Sequence, residues 1–287
     1  MMAFIDDMRD EGHAVESTCR VLSEHGCRVA ARTYRSWKLG ARRVAARTVT
    51  DAIVTDALLA TRNTPEGLYG RRKMTHHLRR QGLEVAFCTV DRLMTDLGLN
   101  GVRRGKGVRT TIRGKDGRRA QDLLNRDFTA TAPNTRWVAD FTYCRTWAGF
   151  VYVAFVVDCF AQRIVAWHAA TDKRTDLVLI PLRIAMWGRD REGRPVAAGE
   201  LVHHSDAGSQ YTSIRFTEHL ALEEIAPSIG TVGDAYDNGL METIIGLFKT
   251  EAIGTTVFHD GPYKTLVDVE YATAGWVDWY NHRRLHS

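Results

Sequence analysis

Apolar and polar positions alternate with period two through residues 136–145, 150–159 and 163–168, which predicts three β-strands. Ala148-Gly149 supplies turn chemistry between the first two, whereas Phe160-Ala161-Gln162 offers neither Gly nor Pro at the second boundary. Connections this short join antiparallel neighbours, so the three read as a meander. A helical spacing follows over residues 175–187, with Leu177, Ile180, Ile184 and Trp187 on one stripe. Pro181 falls inside it, so this helix is expected either to kink there or to begin later. After a loop at 188–199 come a strand over 201–205, a helix over 213–225, a strand over 227–231 and a helix over 238–250. A last helix over 266–280 turns Val269, Trp276, Val277 and Tyr280 inward, with Thr273 the one polar residue on that stripe. Strand and helix patterns interleaved in this way predict an α/β fold, a mixed sheet with helices on its faces.

The first part of the chain carries helical spacing only. STCRVLSEHG and RTYRSWKLG predict two short helices broken at His25-Gly26, with Trp37 as core anchor, and the role of residues 1–47 is not legible. A clearer helix over residues 51–62 stops at Asn63-Thr64-Pro65. The next, over residues 70–80, is basic, with Met74 and Leu78 inward, and Gln81-Gly82 ends it. Thr89 is placed to cap a third helix whose Val90, Leu93, Met94 and Leu97 share a face, stopped by Gly98. Helix, tight turn and second helix is the helix-turn-helix plan.

Charge sharpens that reading. The net charge of +5 is uneven, because residues 70–126 hold 15 Lys/Arg against 5 Asp/Glu, a local +10 that leaves −5 for the rest. A basic block of this kind fits a polyanion partner. The side chains offered to DNA phosphates are Arg71, Arg72, Lys73, Arg79, Arg80, Arg92, Arg103 and Arg104. Residues 107–126 are Gly-rich and basic and read as a linker that tracks a phosphate backbone. The domain plan is therefore a helical region over 1–47, a helix-turn-helix-like DNA-binding domain over 48–106, a basic linker over 107–126 and a catalytic core over 127–287. No apolar run spans a membrane, and the N-terminus lacks the apolar stretch of a secretory signal, so a cytoplasmic, nucleoid-associated protein is expected. Five cysteines with no CxxC pair predict reduced thiols. His13, Cys19, His25 and Cys27 lack the paired spacing of a zinc site.

Three carboxylates stand on separate predicted elements: Asp140 within the first strand, Asp206 just beyond the fourth, and Glu242 on the penultimate helix. Alternation puts Asp140 with Val138 and Thr142, opposite Trp137, Ala139 and Phe141, while Gly208 and Ser209 let the backbone turn close to Asp206. Such a set suits Mg²⁺, which takes oxygen ligands and phosphate oxygens. Lys249 lies seven residues beyond Glu242, about 20° short of two full helical turns, with Gly246 between them on that face. Asp158 at the end of the second strand is the best decoy, Asn238 reads as a helix cap, His204 as a structural histidine, and His203 and Gln210 have weaker claims still.

The surrounding text resembles the DDE transposases of bacterial insertion sequences, in particular the second-frame product (OrfB) of the IS-three family. The resemblance rests on Trp137-Val-Ala-Asp140-Phe-Thr-Tyr143, on His204-Ser-Asp206-Ala-Gly-Ser-Gln-Tyr211, and on Asp237-Asn238 before Met241-Glu242 with Lys249 beyond. The closing YNHRRLH, residues 280–286, fits as well. It covers residue 48 to the end and implies a ribonuclease-H-like catalytic core preceded by an α-helical helix-turn-helix region. By resemblance Asp140, Asp206 and Glu242 are the catalytic and metal-binding residues, Asp140 shared by two Mg²⁺ ions (Mn²⁺ as substitute), and Lys249 meets DNA. The implied reaction is cleavage and strand transfer at insertion-sequence ends. The implied partners are element-end and target DNA, the first-frame product OrfA as fusion or partner, and further copies of the chain on DNA. Two other readings are a catalytically silent DNA-binding descendant and a ribonuclease-H-type nuclease. Relatives continue past YNHRRLH whereas this sequence ends at Ser287, a departure that bears on activity more than on fold.

Overall fold

The computed structural model describes residues 1–40, 44–103, 122–124, 127–230 and 238–286. Arg104, Asp237 and nearly all of the basic linker lie outside the described residues. By its contacts the chain divides into two compact units, residues 1–57 and 58–287.

In the first unit, helices α1 (Met2–Asp10), α2 (Val15–Glu24) and α3 (Ala31–Lys38) enclose a small core of Ile5, Cys19, Val29 and Tyr34. Two helices were expected here. Four of the nine residues of α1 are charged, which hides its single buried position, Ile5. The anchor is Tyr34 at 2% exposure, and Trp37 only packs against the rim. The Tyr34 hydroxyl donates to Asp6 Oδ1 at 2.6 Å, and Lys38 pairs with the same carboxylate at 2.9 Å.

Helix α4 (Ala46–Ala60) starts earlier than its periodicity suggests. A 3₁₀ turn (Pro65–Leu68) leads into α5 (Arg71–Arg80) and α6 (Phe87–Asp96). Met74 and Leu78 of α5 and Val90, Leu93 and Met94 of α6 are buried as their spacing requires. Thr89 does not cap α6. The cap position is Ala86, and Thr89 sits in the first turn. A Cβ on Gly101 would lie 2.5 Å or less from Gly70 backbone atoms, so glycine permits this crossing of the two chain segments. Beside it the Val102 N–H donates to Leu68 O at 3.1 Å.

The rest of the second unit is a five-stranded sheet of order β3-β2-β1-β4-β5. Strands β1 (Arg136–Thr146), β2 (Gly149–Asp158) and β3 (Arg163–Ala170) form the antiparallel meander. Strands β4 (Val202–Ser205) and β5 (Ala226–Ile229) add in parallel on the other side of β1. Gln162 adopts φ +52°, which explains a β2–β3 turn without glycine. Three antiparallel strands, two parallel ones and helices on both faces make the ribonuclease-H-like α/β fold. Trp137 and Ala139 of β1 bury against α7 (Asp176–Arg191) and α8 (Ile214–Leu222).

Pro181 sits inside α7, which begins at Asp176. Of the expected stripe of this helix, Leu177 is buried but Ile184 and Trp187 are not. Val178, Pro181, Leu182 and Ala185 face the core, while Ile184 and Trp187 are 43% and 60% exposed. On the opposite face of the sheet, Phe155, Phe248 and Trp276 pack edge-to-face at 5.1–6.1 Å. Helix α9 (Gly239–Leu247) ends earlier than expected, and residues Phe248–Ile253 continue as a π-helical turn. Helix α10 (Leu266–His282) buries Val269, Trp276, Val277 and Tyr280, and the Thr273 hydroxyl donates to Val269 O at 2.6 Å.

The YNHRRLH stretch fastens α10 to this core. Asn281 accepts from Ile164 N–H at 3.0 Å and donates to Ile164 O at 2.9 Å. Buried Arg284 pairs with buried Glu251 of the π-helical turn at 2.7 Å. The Trp276 indole donates to the same carboxylate at 3.2 Å.

Candidate active site

The parallel pairing of β1 with β4 sets the site. Trp137 lies beside His203, Val138 beside His204 and Ala139 beside Ser205. Asp140 and Asp206 are the next step of that register, on chains about 4.8 Å apart where paired. The Asp140 carboxylate accepts from the Phe141 N–H at 2.7 Å, and Asp206 accepts from the Gly208 N–H at 3.2 Å. A Cβ at Gly208 would stand 3.0 Å from Asp206 Oδ1, so glycine lets the turn close without displacing that carboxylate oxygen. Burial pushes the Asp140 carboxyl well above the usual carboxylate range, and the Asp206 and Glu242 charges push it further. The Phe141 N–H and the Lys249 ammonium pull it back. Burial raises Asp206 as well, against the Gly208 N–H.

Glu242 lies in the first turn of α9, exposed, and reaches Asp140 through its charge. Asn238 occupies the N-cap position, but its side chain does not cap α9. Its amide donates to Ala139 O at 3.4 Å, tying the start of α9 to the residue beside Asp140. The π-helical turn changes the expected relation of Lys249 to Glu242, because it rotates less per residue than an α-helix. Lys249 Nζ sits 5.2 Å from the centroid of the Tyr143 ring. Among the described residues no three His, Cys, Asp or Glu side chains are gathered as a finished ligand shell. Asp140 and Asp206 are neighbours in register, and Glu242 joins them through its charge. The donor chemistry, hard carboxylate oxygens that repel one another when ionised, fits a divalent cation such as Mg²⁺.

The other candidates divide clearly. Asp158 is structural, accepting from the Asn134 N–H at 3.1 Å and the Phe160 N–H at 3.0 Å. His204 is wholly buried, its Nδ1 2.8 Å from Ser228 Oγ. His203 packs between Tyr211 and Phe216, and Gln210 donates to Lys173 O at 3.0 Å. Periodicity did not single out Tyr211, although it ends the His204–Tyr211 motif. It is buried beside both aspartates, which raise its phenol well above the ordinary value after burial itself. Among the described residues its hydroxyl has no hydrogen-bond partner.

In the helix-turn-helix-like segment the basic residues are of two kinds. Arg71 is committed to an ion pair with Asp91 and donates to Thr95 Oγ1 at 3.1 Å, joining α5 to α6. Arg79 donates to Val85 O at 3.0 Å, and Arg92 pairs with Asp96 at 3.6 Å. Burial and nearby Arg284 lower the Lys73 ammonium pKa. Arg72, Arg80 and Arg103 are exposed.

Two family models described as integrase core domain match residues 130–235 and 223–287, and one described as HTH-like domain matches residues 51–107. A Mycobacterium tuberculosis protein assigned as transposase to insertion sequence element IS986/IS6110 is 53% identical over 220 residues, 77% of each chain. The Escherichia coli transposase InsF for insertion sequence IS3A is 26% identical over 269 residues, 94% of this chain and 90% of that one. Among solved structures, the HTLV-2 integrase catalytic core domain in complex with magnesium aligns with 55% of this chain and 92% of that chain. Its identity is 17% and its TM-score 0.39. With an integrase core, an HTH-like segment and relatives at this identity, the chain belongs to the IS-three family of insertion-sequence DDE transposases.

Proposed function

We propose that the chain cleaves and joins DNA strands at insertion-sequence ends, with Asp140, Asp206 and Glu242 as the residues that hold two Mg²⁺ ions. The observation that carries this reading is the β1–β4 register, which makes Asp140 and Asp206 neighbours, with the Glu242 and Lys249 charges bearing on Asp140. Bound Mg²⁺ would lower the pKa of an attacking water or 3′-hydroxyl and stabilise the leaving oxygen. The chain's own part is positioning. Backbone N–H groups fix one oxygen of each aspartate, Asn238 anchors the helix that carries Glu242, and Lys249 faces the incoming phosphates. Water as nucleophile gives strand cleavage, and a 3′-hydroxyl gives strand transfer.

Within the proposal, residues 48–106 read DNA, 107–126 follow its backbone, and 127–287 carry the chemistry. OrfA, fused or bound, and further copies of the chain complete the assembly. The test is nicking of element-end duplex by Asp140→Asn, Asp206→Asn and Glu242→Gln. Each substitution is expected to abolish Mg²⁺-dependent cleavage and strand transfer while leaving duplex binding measurable. A variant that kept near-wild-type nicking would remove that residue from the site. Binding without any nicking by the unaltered chain would instead favour a silent DNA-binding descendant.

A further inference from the structure

Beyond Asp140, strand β1 runs on without β4, whose pairing stops at Ala139. This outer part of the meander carries large aromatic side chains in the open. Tyr143 is 40% exposed, Phe150 50% and Trp147 73%. Phe150 meets Tyr143 edge-to-face at 5.4 Å. Tyr152 is the cross-strand partner of Tyr143, and Arg145, also exposed, is that of Phe150. An antiparallel partner shares its face of the sheet, so Tyr143, Tyr152, Arg145 and Phe150 form one strip, and Trp147 stands in the turn at its end.

Three of the rings carry a lysine. Lys249 Nζ lies 5.2 Å from the Tyr143 centroid, Lys264 Nζ 5.6 Å from that of Trp147, and Lys173 Nζ 5.4 Å from that of Tyr152. Aromatic rings interleaved with cations, in the open and on a rigid hairpin, are how proteins hold unpaired nucleotides: bases stack and phosphates meet the charges. A protein partner would be expected to cover the rings without needing a cation beside each.

We infer that this strip, Tyr143, Phe150 and Trp147 with Lys173, Lys249 and Lys264, binds unpaired nucleotides of the DNA strand that leads into the active site. The inference rests on the proposed DNA-cleaving function and extends it to the substrate's form, an end whose terminal bases have separated. Tyr143 is three residues along β1 from Asp140, about 10 Å, and alternation sends its side chain from the other face of the sheet; Lys249 joins the two, its Nζ over the Tyr143 ring and its charge bearing on Asp140.

The experiment compares full-length chain binding to a labelled blunt duplex and to the same duplex with a single-stranded oligothymidylate extension, by fluorescence anisotropy without divalent cation. Unaltered protein is expected to bind the tailed duplex more tightly. Trp147→Ala and Phe150→Ala should each weaken tailed binding by about tenfold, the loss of one stacked base, and leave blunt binding unchanged. Trp147→Phe, which keeps a ring, should retain most of the gain. Both residues are at least half exposed, so circular dichroism and thermal unfolding should match the parent.

Equal affinity of the parent for the two duplexes, or an undiminished tail preference in both alanine variants, overturns the inference. So does a change confined to self-association in sedimentation, which would assign the strip to a second copy. Nicking assays on the same preparations keep the two readings apart. Nicking without tail preference removes only the strip, and tail preference without nicking removes only the catalytic reading.

Discussion

Each aspartate of the proposed site gives one oxygen to a backbone N–H, and burial makes the charge of both costly until a cation neutralises it. Three residues before Asp206, in β4, the opposite strategy holds. His203 is buried between rings, and burial, with His204 beside it, pushes its pKa down to about 4. Unfolded, the same imidazole titrates near 6.5. The folded state therefore rejects a proton that the unfolded state accepts. Stability from this residue is complete above about pH 6.5 and lost as pH falls toward 4, by ~3 kcal/mol in all. His203→Gln removes the titration. Urea unfolding of parent and variant should then converge in stability as pH is lowered from about 7.5 to about 4.5. A constant difference across that range would show that His203 is already solvated.

At the scale of elements, two helices are held by pairs whose loss should read differently. The ion pair of Glu251 with Arg284 is buried at both ends and joins the π-helical turn to the tail of α10. Glu251→Gln strands a buried guanidinium and should cost ~3–5 kcal/mol in denaturant unfolding. The double replacement Glu251→Leu with Arg284→Met should recover much of it, and failure to recover would assign the loss to the Trp276 bond instead. In α5, Arg72 and Arg80 are exposed whereas Arg71 is tied to Asp91. Arg72→Ala and Arg80→Ala are each expected to lower the slope of log affinity against log salt for duplex DNA by about 0.9, with folding intact. Arg71→Ala should instead loosen α5 from α6 and lower the unfolding midpoint. An unchanged slope in both surface variants would place the DNA elsewhere.

Within the second unit, the helix-turn-helix-like segment is fastened to α10 and the residues that follow it. Trp279 of α10 is fully buried, its indole donating to Glu66 Oε1 at 3.2 Å and its ring 5.9 Å from that of Tyr69. The Tyr69 hydroxyl accepts from the Leu285 N–H at 3.0 Å. This contact ties the helix-turn-helix-like segment to α10, which packs on the five-stranded sheet. Trp279→Ala removes the ring and the bond together, a loss of ~3–5 kcal/mol for a core aromatic. Hydrogen exchange should then quicken in α5 and α6 while the β1–β2 ladder keeps its protection. Uniform acceleration would mean that α10 supports the sheet as much as the segment.

Much of this molecule was legible from local pattern. Period-two alternation located the meander, helical spacing located the cores of α5, α6 and α10, and the motifs around Asp140, Asp206 and Glu242 carried the family. Those signals are legible because backbone geometry repeats within one element and needs no partner. What only the tertiary structure decided is how faces and registers meet. Two apolar stripes run along α7, and the sheet buried the one with Pro181 and Ala185, leaving Ile184 and Trp187 outside. Tyr34 rather than Trp37 became the anchor because its hydroxyl found Asp6. The π-helical turn sent Lys249 to Tyr143, a residue on another element. Side-by-side placement of Asp140 and Asp206 follows from the parallel pairing of β1 with β4. That register is chosen by packing between segments far apart in the chain, which periodicity within either one does not encode.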